Sequence, residues 1–377
     1  MGSVANNFTP SFSIARRTEA RSLKRFFGMF VPQRDTELAL ETLERMRLKL
    51  DGLRFQREGK LVGIPLIRSP SAEEESILRE KFVDYRIQET AFEPTVVRTR
   101  KLVDAVQGIV PQTLMPELPR SLDVVGDIAI VELSPKLDSY ASAVGEGILQ
   151  ANPCVRLVLR KTGGVEGVFR TRGLKAIAGL GGTETLHREF GCKYRLDVLS
   201  TYFNPRLSSE RRRVAGQVGK TEVIIDLFAG VGPYSILIAK LQSCSRVYAL
   251  DINPSAIKYL KENALINQVA DRVIPIEGDA RESSKNLLSV GGDRVIMNLP
   301  SESERYLDVA CRVLRPTGGY IHFYKFAPRG EKPETVGAGF ANAIRAQNRK
   351  VEAFSYCDVV REVSPTRMQV AVDAFVK

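Results

Sequence analysis

The apolar and polar positions change rhythm three times along the chain. From Val31, VPQRDTELALETLERMRLKLDGLRFQREGKLVGIPLI predicts strand, helix, turn and strand. Leu38, Leu40, Leu43, Met46 and Leu48 recur at helical spacing behind Thr36 as a cap, and Asp51-Gly52 is the expected stop. This defines a small α/β domain over 30–70. The acidic run SPSAEEES then opens a stretch, 71–120, that reads as a linker with a helical pattern over 71–84 and a Pro-spaced loop, VPQTLMPELPRS. Residues 121–200 read as an α+β middle domain: a strand over 121–133, a helix over 136–150, strands at 155–161 and 167–172, and a hairpin over 184–198. Beyond residue 201 strands and helices alternate, with strands at 222–228, 246–252, 272–277, 293–298, 318–326, 350–358 and 367–376. Helices fall between the first six, which predicts a mostly parallel sheet covered on both faces. No helical pattern separates the last two strands, so they should form an antiparallel hairpin.

Composition narrows the classes of function. The 377 residues suit two or three domains, and 44% hydrophobic with 26% charged residues is ordinary for folded chains. A formal net charge of +11 favours a polyanionic partner, RNA or DNA first. The five cysteines are scattered and the histidines number two, so neither a zinc site nor a disulfide framework is indicated, and a reducing cytoplasm is expected. No apolar run approaches the roughly 18 to 20 residues of a membrane helix. Residues 1–29, rich in Ser, Asn and Arg, read as a basic, disordered leader: a nucleic-acid-binding arm, a targeting segment or a tail ahead of a start at Met29.

The candidate chemistry lies at strand ends. In EVIIDLFAGVGPYSILIAK a buried strand runs into a turn with Gly230 and Gly232 and then a helix, where backbone N–H groups can approach a ligand closely. Asp251 ends the next strand, placed to accept ribose hydroxyls or to cap the helix after it. Asp279 ends the third, placed for an adenine amine, and Asn298-Leu299-Pro300 ends the fourth. Phe228, Ile252 and Ala280 flank these positions. A nicotinamide or flavin dinucleotide is the alternative ligand, but GVGPYS lacks the third glycine of G-x-G-x-x-G. S-adenosyl-L-methionine fits better, and a seven-stranded sheet ending in an antiparallel hairpin resembles the class I (Rossmann-like) methyltransferases.

FRTR, YFNPRLSSER, DLFAGVGPYSI, ALDINPSAI, GDAR and NLP, in this order over residues 30–377, resemble the archaeal and eukaryotic tRNA guanine-37 N1-methyltransferases. The resemblance implies S-adenosyl-L-methionine as cofactor and tRNA as partner, with a small tRNA-gripping N-terminal domain, a middle domain near the anticodon stem, and a catalytic domain over 201–377. It assigns Glu210 as the base that removes the N1 proton and Arg170 as the cation that stabilises O6. Asn298 is implied to hold the base, Tyr202 to pack on the extruded guanine, and Arg211 to lie beside the cofactor. Deprotonating guanine N1 drives charge onto O6, so a carboxylate paired with a cation is the right chemistry. Read without the family, a Glu beside three arginines is more often a solvated helix charge or a salt-bridge partner than a base, and Arg172 is a candidate equal to Arg170, both being able to bind phosphate. Arg206, Arg211, Arg212 and Arg213, with Arg160, Lys161, Arg170, Arg172 and Lys175, are expected to meet phosphates. A cytoplasmic monomer without metal, membrane or protein partner is expected.

Three other readings stay open. A wybutosine-pathway enzyme would use the same cofactor to donate its aminocarboxypropyl group. A dual-specificity enzyme would also methylate a wyosine precursor. A non-catalytic RNA-binding protein would carry only a relict cofactor fold.

Overall fold

The computed structural model describes residues 25–50, 53–93, 101–167, 169, 171–242 and 246–377. The chain divides into two compact units, Met1–Arg98 and Thr99–Lys377.

The first unit contains β1 (Arg25–Pro32), α1 (Thr36–Arg45), β2 (Gln56–Glu58), β3 (Leu61–Pro65), α2 (Ala72–Lys81) and β4 (Arg86–Ala91). Its sheet has the order β2-β3-β1-β4, antiparallel throughout. Met29, Val31, Leu43, Ile64 and Leu78 form its core. Three expectations change here. The strand starts at Arg25, so residues 25–29 of the expected leader are structured; residues 1–24 lie outside the described residues. Helix α1 stops at Arg45 because Arg47 turns left-handed (φ 53°). Leu48 N–H then donates to Leu43 O and Arg47 N–H to Glu44 O, a Schellman closure that buries Leu48. Asp51 and Gly52, the expected stop, lie outside the described residues. Finally, the first part of the expected linker is built into the fold: Ser71 and Glu74 cap α2 reciprocally, and β4 pairs with β1.

The second unit opens with α3 (Leu102–Val106), followed by β5 (Leu122–Val125), β6 (Ile128–Val131), α4 (Ala141–Ala151), β7 (Leu157–Glu166) and β8 (Thr171–Gly179). These strands pair in the order β5-β6-β7-β8, parallel only between β6 and β7, where α4 makes the crossover. The single strand expected over 121–133 is a hairpin. Gly126 adopts φ 59° and reverses the chain, so that Val125 faces Ile128. β9 (Glu184–Glu189) and β10 (Cys192–Asp197) form the expected second hairpin.

Helix α5 (Ser208–Ala215) leads into β11 (Val223–Asp226), α6 (Pro233–Leu241), β12 (Arg246–Asp251), α7 (Pro254–Ile266), β13 (Val273–Glu277), α8 (Ala280–Ser283) and β14 (Arg294–Met297). α9 (Leu307–Val313), β15 (Gly319–Pro328), α10 (Pro333–Arg345), β16 (Val351–Ser364) and β17 (Arg367–Val376) complete the chain. The sheet order is β13-β12-β11-β14-β15-β17-β16; the first five strands are parallel, and β17 is antiparallel to both β15 and β16. The expected class I fold is therefore present. Asn263 and Asn267 of α7 dock β10 onto it by bonding Lys193 and Arg195 through both amide N–H and carbonyl groups of the strand backbone.

Candidate active site

A cavity of about 570 Å³ opens at the carboxyl ends of β11, β12, β13 and β14. That is where an open α/β sheet reverses strand order and takes its ligands. Phe228, Gly230, Asp251, Ile252, Asp279, Ala280, Asn298 and Pro300 all line it. The glycine turn is sterically required: Gly230 has φ 55° and Gly232 φ 90°, and a Cβ at Gly232 would run into Leu260 Cδ1. Gly232 therefore shapes the turn from beneath and is not part of the lining.

Asp251 is locked in place by two backbone donors, Gly230 N–H to Oδ2 (2.7 Å) and Asn253 N–H to Oδ1 (2.9 Å). The Ile252 backbone bonds the carboxylate as well, and the acceptor capacity left on its oxygens suits a vicinal diol. Burial pushes the carboxyl above the usual range. The helix-capping role open for Asp251 belongs to Asn253, whose Oδ1 accepts from Ser255 N–H. Asp279 combines both of its possible roles, lining the cavity while capping α8 through Arg281 N–H (2.8 Å). Asn298 makes no helix cap, and its buried Oδ1 has no hydrogen-bond partner among the described residues. A glycine cradle, a fixed carboxylate at the second strand end and an unsatisfied amide at the fourth fit a nucleoside cofactor such as S-adenosyl-L-methionine.

The wall contributed by the segment before β11 is built differently. Tyr202, 37% exposed, lines the cavity beside Phe203, Asn204 and Arg211. Arg211 is 1% exposed and held through all three nitrogens: Nε and Nη2 clamp Glu189 at 2.7 and 2.6 Å, and Nη1 donates to Asn204 O. Burial works against ionising Glu189, but His187 and Arg211 hold its carboxyl below the usual range. Glu210 is 6% exposed and does not line the cavity. Arg213 grips it through Nε and Nη2 (2.7 and 2.6 Å), and Tyr324 Oη donates to Oε1 (2.7 Å). Tyr234 Oη in turn donates to Tyr324 Oη at 3.2 Å, and Tyr234 does line the cavity. Behind Arg213 the chain of charge continues through Asp373 (2.5 Å) to His322 (2.8 Å), Arg294 and Glu222. Arg294 Nη1 lies 2.8 Å from His322 Nε2, to which it can only donate, and the other ring nitrogen, Nδ1, faces Asp373 Oδ1.

The basic stretch is thus only partly available to RNA. Arg211 and Arg213 spend their charge inside, contrary to the expectation that they meet phosphates, whereas Arg212 is exposed over the Phe190 ring. Arg172 and Arg206 line a second, polar cavity of about 340 Å³, with Lys161 and Arg361. Asp123 pairs with Arg206 (2.6 Å) and lies 3.8 Å from Lys161. Burial, reinforced by the charges of Arg206 and Arg172, holds the Arg361 guanidinium below its ordinary value. Tyr202, Phe203 and Asn204 line both cavities. Arg170 lies outside the described residues. Sequence reading missed Tyr234, Tyr324 and Gln369, all of which have apolar neighbours and look like core positions. The only hint was Gln369 and Asp373 as polar positions within the buried strand MQVAVDAFV.

The sheet order and the cavity at its strand ends define a class I methyltransferase. Residues 185–352 match the TRM5/TYW2 methyltransferase domain, and 102–183 match the TYW2 N-terminal domain. The chain is 37% identical to a tRNA (guanine(37)-N(1))-methyltransferase Trm5b of Pyrococcus abyssi over 91% of its own length and 97% of the relative's. It is 34% identical to a tRNA 4-demethylwyosine(37)-methyltransferase Taw21 of Saccharolobus solfataricus, over 67% of this chain and 93% of that one. Among solved structures, a complex of aTrm5 and tRNALeu superposes with a TM-score of 0.70 at 28% identity, covering 93% of this chain and all (100%) of that one. Methanocaldococcus jannaschii Trm5 in complex with adenosine gives a TM-score of 0.59 at 27% identity, over 92% and 98% of the two chains. The chain belongs to the tRNA (guanine-37 N1)-methyltransferase family. Among the described residues no helix is long and apolar enough to cross a membrane, and no cluster of side chains could hold a metal ion.

Proposed function

We infer that the protein transfers a methyl group from S-adenosyl-L-methionine to N1 of guanosine 37 in tRNA. The observation that carries this reading is the single cavity wall shared by a cofactor-type strand-end set, Gly230, Asp251, Asp279 and Asn298, and a nucleobase-type edge, Tyr202 and Phe203. When bound, the cofactor supplies an electrophilic methyl group. The protein's own residues must orient the guanine, remove the N1 proton and shield the site from water.

In this reading Asp251 accepts the ribose hydroxyls and Asp279 the adenine amine. Phe228, Gly230, Ile252, Ala280 and Pro300 shape the slot, and Arg211 holds its wall. Tyr202 packs on the extruded guanine, while Arg172 and Arg206 meet the RNA backbone. Arg170 serves O6 and Asn298 holds the base. Glu210 takes the N1 proton, and its contact with the cavity runs through two hydroxyls. The proton leaves N1 for Tyr234 Oη, Tyr234 passes its own to Tyr324 Oη, and Tyr324 passes its own to Glu210 Oε1. The recorded hydrogen bonds already point in this direction. Burial pushes both tyrosine hydroxyls well above their ordinary pKa, making them weaker acids, so the transfers are concerted and no tyrosinate accumulates.

The first unit grips tRNA, and the protein works as a cytoplasmic monomer without a protein partner. Similarity to Taw21 favours a second reading, methylation of a wyosine precursor at the same position. Mass analysis of tRNA after incubation with labelled cofactor separates these readings. A methyl on N1 of guanosine 37 is expected; an aminocarboxypropyl increment, or methylation only of the precursor, replaces the main reading.

A further inference from the structure

Gln369 is a polar residue of the cavity wall on a strand that is otherwise almost wholly apolar. It lies on β17 opposite Phe326 of β15, and Phe326 N–H donates to Pro300 O, which places Gln369 beside the Asn298–Pro300 end of β14. Its side chain is 1% exposed and lines the cavity. Arg361 Nε donates to Gln369 Oε1 at 3.3 Å, which fixes that end as the oxygen and leaves Nε2 as a pure donor. Among the described residues Nε2 has no partner. Among the same residues Asn298 Oδ1, an acceptor in the wall of the same cavity, has none either.

Buried polar groups are nearly always satisfied, so two opposite orphans in one cavity call for a ligand with both complements. The Watson–Crick edge of guanine offers them: O6 accepts, and N1–H and the N2 amine donate. Adenine presents an amine where guanine has O6. We propose that Gln369 Nε2 donates to O6 of the target guanine while Asn298 Oδ1 accepts from its N–H edge, making Gln369 a specificity-determining residue. The inference rests on guanosine 37 being the substrate. As the N1 proton leaves, charge builds on O6, so this donor binds the transition state more tightly than the ground state. Arg361 is a positioning residue: it lines the neighbouring cationic cavity and holds the amide in the donating orientation.

The test uses the full chain and tRNA carrying guanosine or 6-thioguanosine at the target, where sulfur is the poorer acceptor. In Gln369→Met, single-turnover methylation of guanosine should fall about ten- to a hundred-fold, with the cofactor Kd unchanged. The rate ratio between guanosine and 6-thioguanosine should shrink several-fold relative to wild type. Gln369→Glu, which keeps its partner in Arg361 but cannot donate, should behave likewise and guards against a folding defect in the methionine variant. An undiminished ratio in both variants overturns the contact, as does a weakened cofactor Kd with the ratio intact, which would give the amide to the cofactor. Wild type that leaves N1 of guanosine 37 unmodified would instead sink the reading of the substrate.

Discussion

The two sides of the main cavity obey different rules. On the sheet side, Gly230, Asp251, Asp279 and Asn298 reach the ligand space directly, each from the end of a parallel strand or the turn after it. On the α5 side, three of the four charges crowded into SSERRR turn inward and are paired, Glu210 with Arg213 and Arg211 with Glu189 of β9, while Arg212 stays exposed. Topology explains the difference. The carboxyl ends of parallel strands all open into one crevice, so a polar residue there has little choice of direction. On a helix successive residues rotate by about 100°, so neighbours in the sequence face different surroundings. Proximity in the sequence is a poor guide to which of them meets the substrate.

The sharpest way to break this comparison is Glu210→Gln. If a carboxylate that does not line the cavity is nevertheless the base, single-turnover methylation should drop about 10²- to 10⁴-fold while tRNA and cofactor still bind. Unchanged turnover would make Glu210 a structural partner of Arg213 and nothing more. The sheet side is probed by Asp251→Asn. Its loss of acceptors for two hydroxyls should weaken the cofactor Kd about ten- to a hundred-fold by calorimetry. A change below about threefold would mean the ribose sits elsewhere.

The same contrast explains what could be read in advance. The seven strands and their final hairpin were legible because helical periodicity separates the first six and none separates the last two. The glycine turn and the acidic strand ends followed from them. The Gly126 hairpin was hidden inside what looks like one apolar run. The inward pairing of Arg211 and Arg213 was hidden because their partners, Glu189 and Asp373, lie 22 and 160 residues away. Tyr234 and Tyr324 were hidden by their own burial. Only a three-dimensional hydrogen-bond chain distinguishes them from ordinary core aromatics.

That hydrogen-bond chain gives a smaller effect. Tyr324→Phe keeps the packing but cuts the path between Glu210 and Tyr234, and should slow single-turnover methylation about tenfold without changing cofactor Kd. A proton inventory in mixed light and heavy water should be curved in wild type, where several protons move together, and flatter in the variant. Full activity with an unaltered inventory would mean that Glu210 reaches the guanine by itself.

Asp226 tests whether every acidic strand end on the sheet side serves the ligand. It ends β11, yet it is 1% exposed, accepts from Ser235 Oγ at 2.7 Å and does not line the cavity. Burial pushes its carboxyl up to about 7. A carboxyl raised in the folded state and ordinary in the unfolded one binds its proton more tightly when folded. Its contribution to stability is therefore fully present below about pH 4 and is lost as pH rises through about 7. For a fully buried group the swing is on the order of 4 kcal/mol. Asp226→Asn removes the titration while keeping the shape, so the fall in unfolding free energy between pH 4 and 8 should become shallower than in wild type. Its cofactor Kd should stay within about threefold of wild type, since removing a group that touches no ligand removes no hydrogen bond to it. An unchanged stability profile together with a lost cofactor affinity would move Asp226 from the foundation of the glycine turn into the binding site, and would make the sheet side uniform in a way its geometry argues against.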